Sequence, residues 1–337
     1  MDFDFTEKIS AKRQISADGA ADLRRRAAPS ARTRPGGRSP RQEETGVIFN
    51  RCQAGSLAHV HRNTAFQEFP GRQIDIESGR STMLIMKTRI LTALPVYNEV
   101  SHVAGVLREL RQHVDDILVV DDGSTDGTSD VLKQFPSVAV KQHSPNLGYG
   151  AALSTAFDYA LRHGFDVLVT MDCDGQHQPQ YVRAIAGMID VTAESPLDMV
   201  SGSRYLKDFE SDTAAPVERR QINARITACL NEQLGLSITD AFCGFKAYRV
   251  SSLAKLDITD KGYAMPLQLW VQAADLGWSI REFPVPRIYL DEARSFGGSL
   301  DDASVRLAHY RSVLNAELER RGMIQRFTSD CGAASAR

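Results

Sequence analysis

No apolar run approaches the roughly eighteen residues that a membrane span needs, and the amino terminus lacks the apolar core of a secretory signal. Membrane contact is therefore expected only peripherally or through a partner. Cysteine is scarce: Cys52, Cys173, Cys229, Cys243 and Cys331 are five, an odd number, and none stands close enough to another for a zinc or redox motif. Free thiols in a reducing compartment, the cytoplasm, are the expectation. An excess of one charge is also missing. A net charge of −2 lacks the basic balance of a nucleic-acid binder, so no nucleic-acid partner is expected.

What is present changes near Met86. Upstream, Arg24-Arg25-Arg26 is followed by Pro29, Arg32, Arg34, Pro35, Gly36, Gly37, Arg38, Pro40 and Arg41, with few large apolar side chains. Such a composition cannot bury enough surface to offset its ordering entropy. Residues 1–85 are expected to be either disordered or the product of a start assigned too early. Met83 and Met86 stand directly before the first strand-like run, Thr88 to Leu94. A basic arm for nucleic acid or membrane is a further reading. A transit peptide fits less well, because acidic residues are interspersed.

From residue 86 to about 300, short apolar runs alternate with amphipathic stretches. Ile90–Leu94, Ile117–Val120, Val138–Val140, Val167–Met171 and Met199–Ser201 read as buried strands. Val100–His113, Thr128–Phe135, Gly150–His163 and Pro179–Val191 carry helical periodicity. This alternation predicts an α/β fold with a mostly parallel sheet and helices on both faces. Residues 301–337 are read as a carboxy-terminal helix, near Ala303 to Leu318, followed by a flexible tail. Apolar residues in that helix could dock it on a membrane or on the core.

Ligands of open parallel sheets bind beyond the carboxyl ends of the strands, so the residues there carry the chemistry. The first strand ends in Pro95-Val96-Tyr97-Asn98-Glu99. Tyr97 could stack on a base and Glu99 accept from base or ribose donors; a strand-ending proline with an acid at a helix start fits the same residues. The second strand ends in Asp121-Asp122-Gly123-Ser124-Thr125-Asp126-Gly127-Thr128. A capped turn explains Ser124 to Thr128, but not two acids at a buried strand end, where Asp121 or Asp122 could bind a ribose hydroxyl or base N–H. A dinucleotide site is excluded because no Gly-x-Gly-x-x-Gly follows the first strand. Asn146-Leu147-Gly148-Tyr149-Gly150 opens a helix with small residues, letting an anion approach backbone N–H groups. Met171-Asp172-Cys173-Asp174-Gly175-Gln176-His177 follows the fourth strand. Residues i and i+2 of extended chain point the same way, so Asp172 and Asp174 aim at one point, with Gln176 able to add an oxygen. All-oxygen ligation suits Mg²⁺ or Mn²⁺. Cys173 should face away, and His177 is read as structural.

Pro-x-Tyr-Asn-Glu, Asp-Asp-Gly-Ser-x-Asp-Gly-Thr, Asn-x-Gly-x-Gly-x-Ala and Asp-x-Asp-x-Gln-His, in this order, resemble family 2 glycosyltransferases. The likeness is strongest to the dolichyl-phosphate mannosyltransferase and polyprenyl-phosphate sugar synthase branch. Gly202-Ser203-Arg204-Tyr205, Asp240 before Gly244-Phe245-Lys246, and Glu282-Phe283-Pro284-Val285-Pro286 extend the resemblance over residues 88–298. It implies a GT-A fold, a nucleotide-diphosphate sugar donor, a divalent metal and inversion at the anomeric carbon. By the same resemblance Pro95, Tyr97, Glu99, Asp121 and Asp122 hold the nucleoside, and Asn146 and Gly148 stand beside the donor. Asp172, Asp174 and Gln176 hold the metal. Arg204 with Arg219 or Arg220 meets the diphosphate or a polyprenyl-phosphate acceptor, since guanidinium forks match phosphate oxygens.

An anionic phosphate acceptor needs no strong base. A hydroxyl acceptor would need one, and Asp240 is the candidate. The chain departs from the resemblance in carrying Gln268 where relatives often carry an acid, and in lacking carboxy-terminal membrane helices. A sugar nucleotidyltransferase would instead carry a glycine- and arginine-rich loop after the first strand. A non-catalytic nucleotide-sugar-binding relative would not need Asp172 and Asp174 intact.

Overall fold

Two neighbouring strands are apolar on both faces, and their two sets of side chains go to two different cores. In β1 (Ile90–Val96), Leu91 and Ala93 face one way and Leu94 and Val96 the other. In β2 (Asp116–Asp121), Leu118 and Val120 oppose Ile117 and Val119 in the same manner. Such strands must be covered on both sides. The remaining strands are β3 (Ala139–Gln142), β4 (Val167–Thr170), β5 (Met199–Ser203), β6 (Lys246–Arg249) and β7 (Ile280–Pro284). The computed structural model describes residues 87–290 and 298–323. The expectations for residues 1–85 and for the tail beyond residue 323 lie outside the described residues.

The seven strands form one sheet in the order β3-β2-β1-β4-β6-β5-β7. Every pairing is parallel except those of β6, which runs antiparallel to β4 and β5. One face is covered by α1 (Val103–Leu110), α2 (Thr128–Leu132) and α4 (Val182–Gly187), through Leu107, Leu132 and Ile185. The other carries α3 (Tyr149–Arg162), α5 (Val217–Leu234), α6 (Val250–Leu253), α7 (Met265–Asp275) and α8 (Ala303–Arg320). Their contributions include Phe157, Ile226, Leu253, Trp270 and Leu314.

The five expected strands are present, and β6 and β7 are additions. Apolar runs do not announce them, because β6 starts with Lys246 and β7 reads Ile-Arg-Glu-Phe-Pro. Lys246 is nevertheless buried, its Nζ donating to Ser201 Oγ at 2.8 Å. The stretch expected as a helix from Pro179 opens instead as a 3₁₀ turn, Pro179–Tyr181, before α4.

α8 starts where Asp302 accepts from the N–H groups of Ser304 and Val305, at 2.8 and 2.9 Å. Tyr310, Leu314 and Leu318 insert into the core, with Leu307 and Val313 packed against it and Val305 exposed. Its apolar stripe thus faces protein. Among the described residues no helix is long and apolar enough to cross a membrane.

Candidate functional site

Because β1, β2, β4 and β5 run in one direction, their carboxyl ends open on the same edge. A cavity of about 410 Å³ lies there. One end is built by the turn after β1. Pro95, Tyr97 and Glu99 line it, Tyr97 with its ring exposed and Glu99 buried. Glu99 is both a cavity residue and a helix-entry residue: its backbone oxygen accepts from Val103 N at 2.9 Å, and its carboxylate lies 2.9 Å from His102 Nδ1.

The two acids after β2 part company. Asp122 lines the cavity; its Oδ1 accepts from Leu147 N at 2.9 Å and lies 2.6 Å from His143 Nδ1, while Oδ2 accepts from Gly148 N at 2.8 Å. The carboxylate thereby draws Asn146 and Gly148 to the strand end, where both line the cavity. Asp121 is not a lining residue. Its oxygens accept from Ser124 N at 2.9 Å, Ser129 Oγ at 2.5 Å and Gln142 Nε2 at 3.2 Å. The expectation that both acids hold the nucleoside is corrected here: Asp121 ties the turn and Asp122 faces the ligand space.

After β4, Asp172, Cys173, Asp174 and Gln176 all line the cavity, and the Cys173 side chain is also buried in the core. Asp172 Oδ1 accepts from the Tyr149 hydroxyl at 3.1 Å, and Asp174 Oδ1 from Gln176 N at 3.0 Å. His177 is buried and its Nδ1 accepts from Asp172 N–H at 2.9 Å, so it orients the turn. Gly244 explains how the Asp172 carboxylate fits: a Cβ there would lie 2.5–2.9 Å from that carboxylate. Among the described residues no group of three or more His, Cys, Asp or Glu comes together. Two carboxylates and an amide oxygen are all-oxygen donors that suit Mg²⁺ or Mn²⁺ sharing its coordination with substrate phosphates and water.

Beyond β5, Arg204 turns toward Asp240. Nε donates to Oδ2 at 2.7 Å and Nη2 to Oδ1 at 3.0 Å, while Nη1 donates to the Tyr289 hydroxyl at 3.2 Å. Asn223 Nδ2 and the Phe242 N–H also donate to Asp240 Oδ1, at 2.8 and 3.1 Å. Burial would raise the Asp240 pKa, but the Arg204 guanidinium overrides it and holds the group at about 2. A fully buried carboxylate with both oxygens occupied and so low a pKa is a poor proton acceptor. The residue expected to serve as base for a hydroxyl acceptor is thus paired with Arg204 as its counter-ion in this structure. Of the two arginines opening α5, Arg219 lines the cavity, whereas Arg220 is exposed and is not among the lining residues.

Sequence reasoning missed Tyr149, Tyr263, Asn223 and Tyr289, and it missed Arg306 and Tyr310 on α8, all of which line the cavity. The signal for Arg306 was an arginine on the same helix face as Tyr310, Leu314 and Leu318.

Comparison with known proteins bears on this arrangement. The sequence family described as glycosyl transferase family 2 matches residues 92–257. An undecaprenyl-phosphate mannosyltransferase of Micrococcus luteus is 34% identical over 233 residues, covering 66% of this chain and 93% of that protein. A polyprenol monophosphomannose synthase of Mycolicibacterium smegmatis is 30% identical over 234 residues, covering 66% of this chain and 86% of that protein. Among solved structures, the Mycobacterium tuberculosis glucosyl-3-phosphoglycerate synthase with Mn²⁺ and UDP-glucose matches with a TM-score of 0.52 at 20% identity, over 71% of this chain and 81% of that one. The last likeness shows the fold.

Proposed function

The chain belongs to glycosyl transferase family 2, and on that footing we propose that it moves a sugar from a nucleotide-diphosphate donor to a polyprenyl phosphate, with Mg²⁺ or Mn²⁺ at Asp172 and Asp174. The observation that carries the reading is the polarity of one cavity. Four acids, Glu99, Asp122, Asp172 and Asp174, and three arginines, Arg204, Arg219 and Arg306, line this one cavity. The names of the mannosyltransferase and the polyprenol synthase, and the Mn²⁺ and UDP-glucose bound to the structural relative, support the acceptor, metal and donor classes.

In this reading Tyr97 stacks on the base, and Glu99 and Asp122 accept from the nucleoside. Asp172 and Asp174, aided by Gln176, hold the metal, which when bound supplies positive charge to the departing diphosphate. Arg204 and Arg219 hold the acceptor phosphate. The phosphate oxygen attacks the anomeric carbon from the face opposite the diphosphate, the glycosidic C–O bond to the diphosphate breaks, and configuration inverts. Already anionic, the acceptor gives up no proton to the enzyme, consistent with Asp240 being held as a counter-ion. The lipid would be met at a membrane surface, through peripheral contact from the cytoplasmic side.

The test offers UDP- and GDP-sugars with Mn²⁺ and either a short-chain polyprenyl monophosphate or the matching polyprenol. Transfer to the phosphate alone is expected. Transfer to the alcohol, or only to a soluble hydroxyl acceptor, would overturn the reading.

A further inference from the structure

The arginines of the cavity are not equivalent. Arg204 gives one N–H from Nε and one from each Nη to Asp240 and Tyr289, which leaves a second N–H on each Nη. Arg219 on α5 and Arg306 on α8 come from two helices that pack together, and Tyr310 stands one turn after Arg306. All three line the cavity.

Arg306 is only 4% exposed, deep for a guanidinium. Its Nη1 donates to the backbone oxygens of Leu300 and Asp301, at 2.6 and 3.3 Å, which fixes the side chain's direction. Tyr310 is 3% exposed and lines the cavity. A phenol held in a cavity wall can donate its O–H to what enters the cavity. Its ring is fixed by Phe242, at 5.1 Å between centroids, and Phe242 lines the cavity too. Burial raises the Tyr310 pKa to about 12 even though Arg306 and Arg219 both act to lower it, so the group remains an O–H donor near neutral pH.

We infer that α8 forms a wall of the acceptor site, with Arg306 and the Tyr310 hydroxyl joining Arg219 to bind the acceptor's phosphate monoester. This rests on the reading that the acceptor carries such a phosphate. The chemistry is specific: a guanidinium fork and a phenolic O–H both donate, and a phosphate dianion accepts several donors at once. It also gives the carboxy-terminal helix a role that its packing alone does not require, since a leucine at 306 would bury as well as an arginine.

The experiment uses the full chain with Tyr310→Phe, Arg306→Gln and Arg306→Lys. Transfer to a short-chain polyprenyl monophosphate is followed at varied donor and acceptor concentrations, with hexyl phosphate, a soluble phosphate monoester that has no hydroxyl group, in a parallel arm. The KM for the phosphate acceptor should rise about tenfold or more in Tyr310→Phe and further in Arg306→Gln, with donor KM within about twofold, and Arg306→Lys should regain part of the loss. Melting temperatures report folding. If Arg306→Gln fails to fold, Tyr310→Phe and Arg306→Lys decide. Unchanged acceptor KM in folded variants, with the parent active on the lipid phosphate, overturns the inference and leaves the proposed function standing. A parent that uses hexyl phosphate but not the lipid keeps the phosphate site and overturns the lipid. A parent that glycosylates neither phosphate removes both readings.

Discussion

Gln268 donates from Nε2 to Glu317 Oε2 across 2.6 Å in the interior, joining α7 to α8. The same amide oxygen accepts from Thr259 N and Asp260 N, at 2.8 and 2.9 Å, and so holds the loop whose Lys261 oxygen accepts from Gly150 N at 2.8 Å. Gln272 adds a second bond to Glu317 at 2.9 Å, and Arg320 and Arg321 approach its carboxylate. Burial would raise the Glu317 pKa, but these donors win and lower it. An acid at position 268 would set two carboxylates face to face here.

Gln268→Glu should therefore destabilise the protein by about 1–3 kcal/mol, and the double exchange Gln268→Glu with Glu317→Gln should restore much of it. Thermal unfolding of the four proteins of this cycle measures the coupling. Additive single effects would show that the contact carries no specific energy.

The Arg204–Asp240 pair predicts an acid limb of stability. The folded pKa of Asp240, about 2, lies below the usual carboxylate range because the Arg204 guanidinium stands beside it. The associated stability is present above the unfolded pKa and is lost as pH falls from about 4 toward 2, amounting to about 2 kcal/mol. Asp240→Asn leaves Arg204 buried beside a neutral amide and should cost about 3–5 kcal/mol. Chemical denaturation from pH 2 to 7 should show a shallower acid slope in the variant than in the parent. A folded Asp240→Asn with parental stability at pH 7 would contradict the assignment.

Much of this was legible in the chain. Apolar runs separated by helical periodicity specify β1, β2, β4 and β5, because a strand buried on both faces needs little polar decoration; β3 at the sheet edge is largely exposed. Strand-end chemistry pointed to Asp172, Asp174, Glu99 and Asp122, since parallel strands deliver their carboxyl ends to one edge. What escaped was set by long-range contact. Nothing local separates Asp121 from Asp122, or Arg219 from Arg220; the neighbours that each side chain meets decide which one faces the cavity. β6 and β7 were hidden because their charged residues find partners only in the assembled sheet, as Lys246 does at Ser201.

The metal reading predicts a clean separation of activity from folding. Asp172→Asn and Asp174→Asn keep side-chain shape and remove an anionic oxygen, so each should lower Mn²⁺-dependent transfer at least about a hundredfold. Melting temperature should move little, because both carboxylates line the cavity and are not core groups. Turnover matching the parent at limiting Mn²⁺ in either variant would show that the cation binds elsewhere.

The last prediction concerns Gly244, which touches no ligand yet sets where one binding group sits. Its missing Cβ is the space into which the Asp172 carboxylate fits, with distances of 2.5–2.9 Å to the position a Cβ would take. Gly244 has no left-handed φ to maintain, so alanine meets no backbone penalty of that kind. The clash falls instead on Asp172, whose other neighbours are the Tyr149 hydroxyl at 3.1 Å and the buried His177 ring. Gly244→Ala should turn the carboxylate away from Asp174 and weaken Mn²⁺ binding about 10–100-fold, the range for losing a group that orients a metal ligand. Donor-free titration with Mn²⁺, read by the paramagnetic signal of the free ion, checks this without any turnover assay. If Gly244→Ala binds Mn²⁺ as the parent does, the close approach of Gly244 to Asp172 does not govern the site.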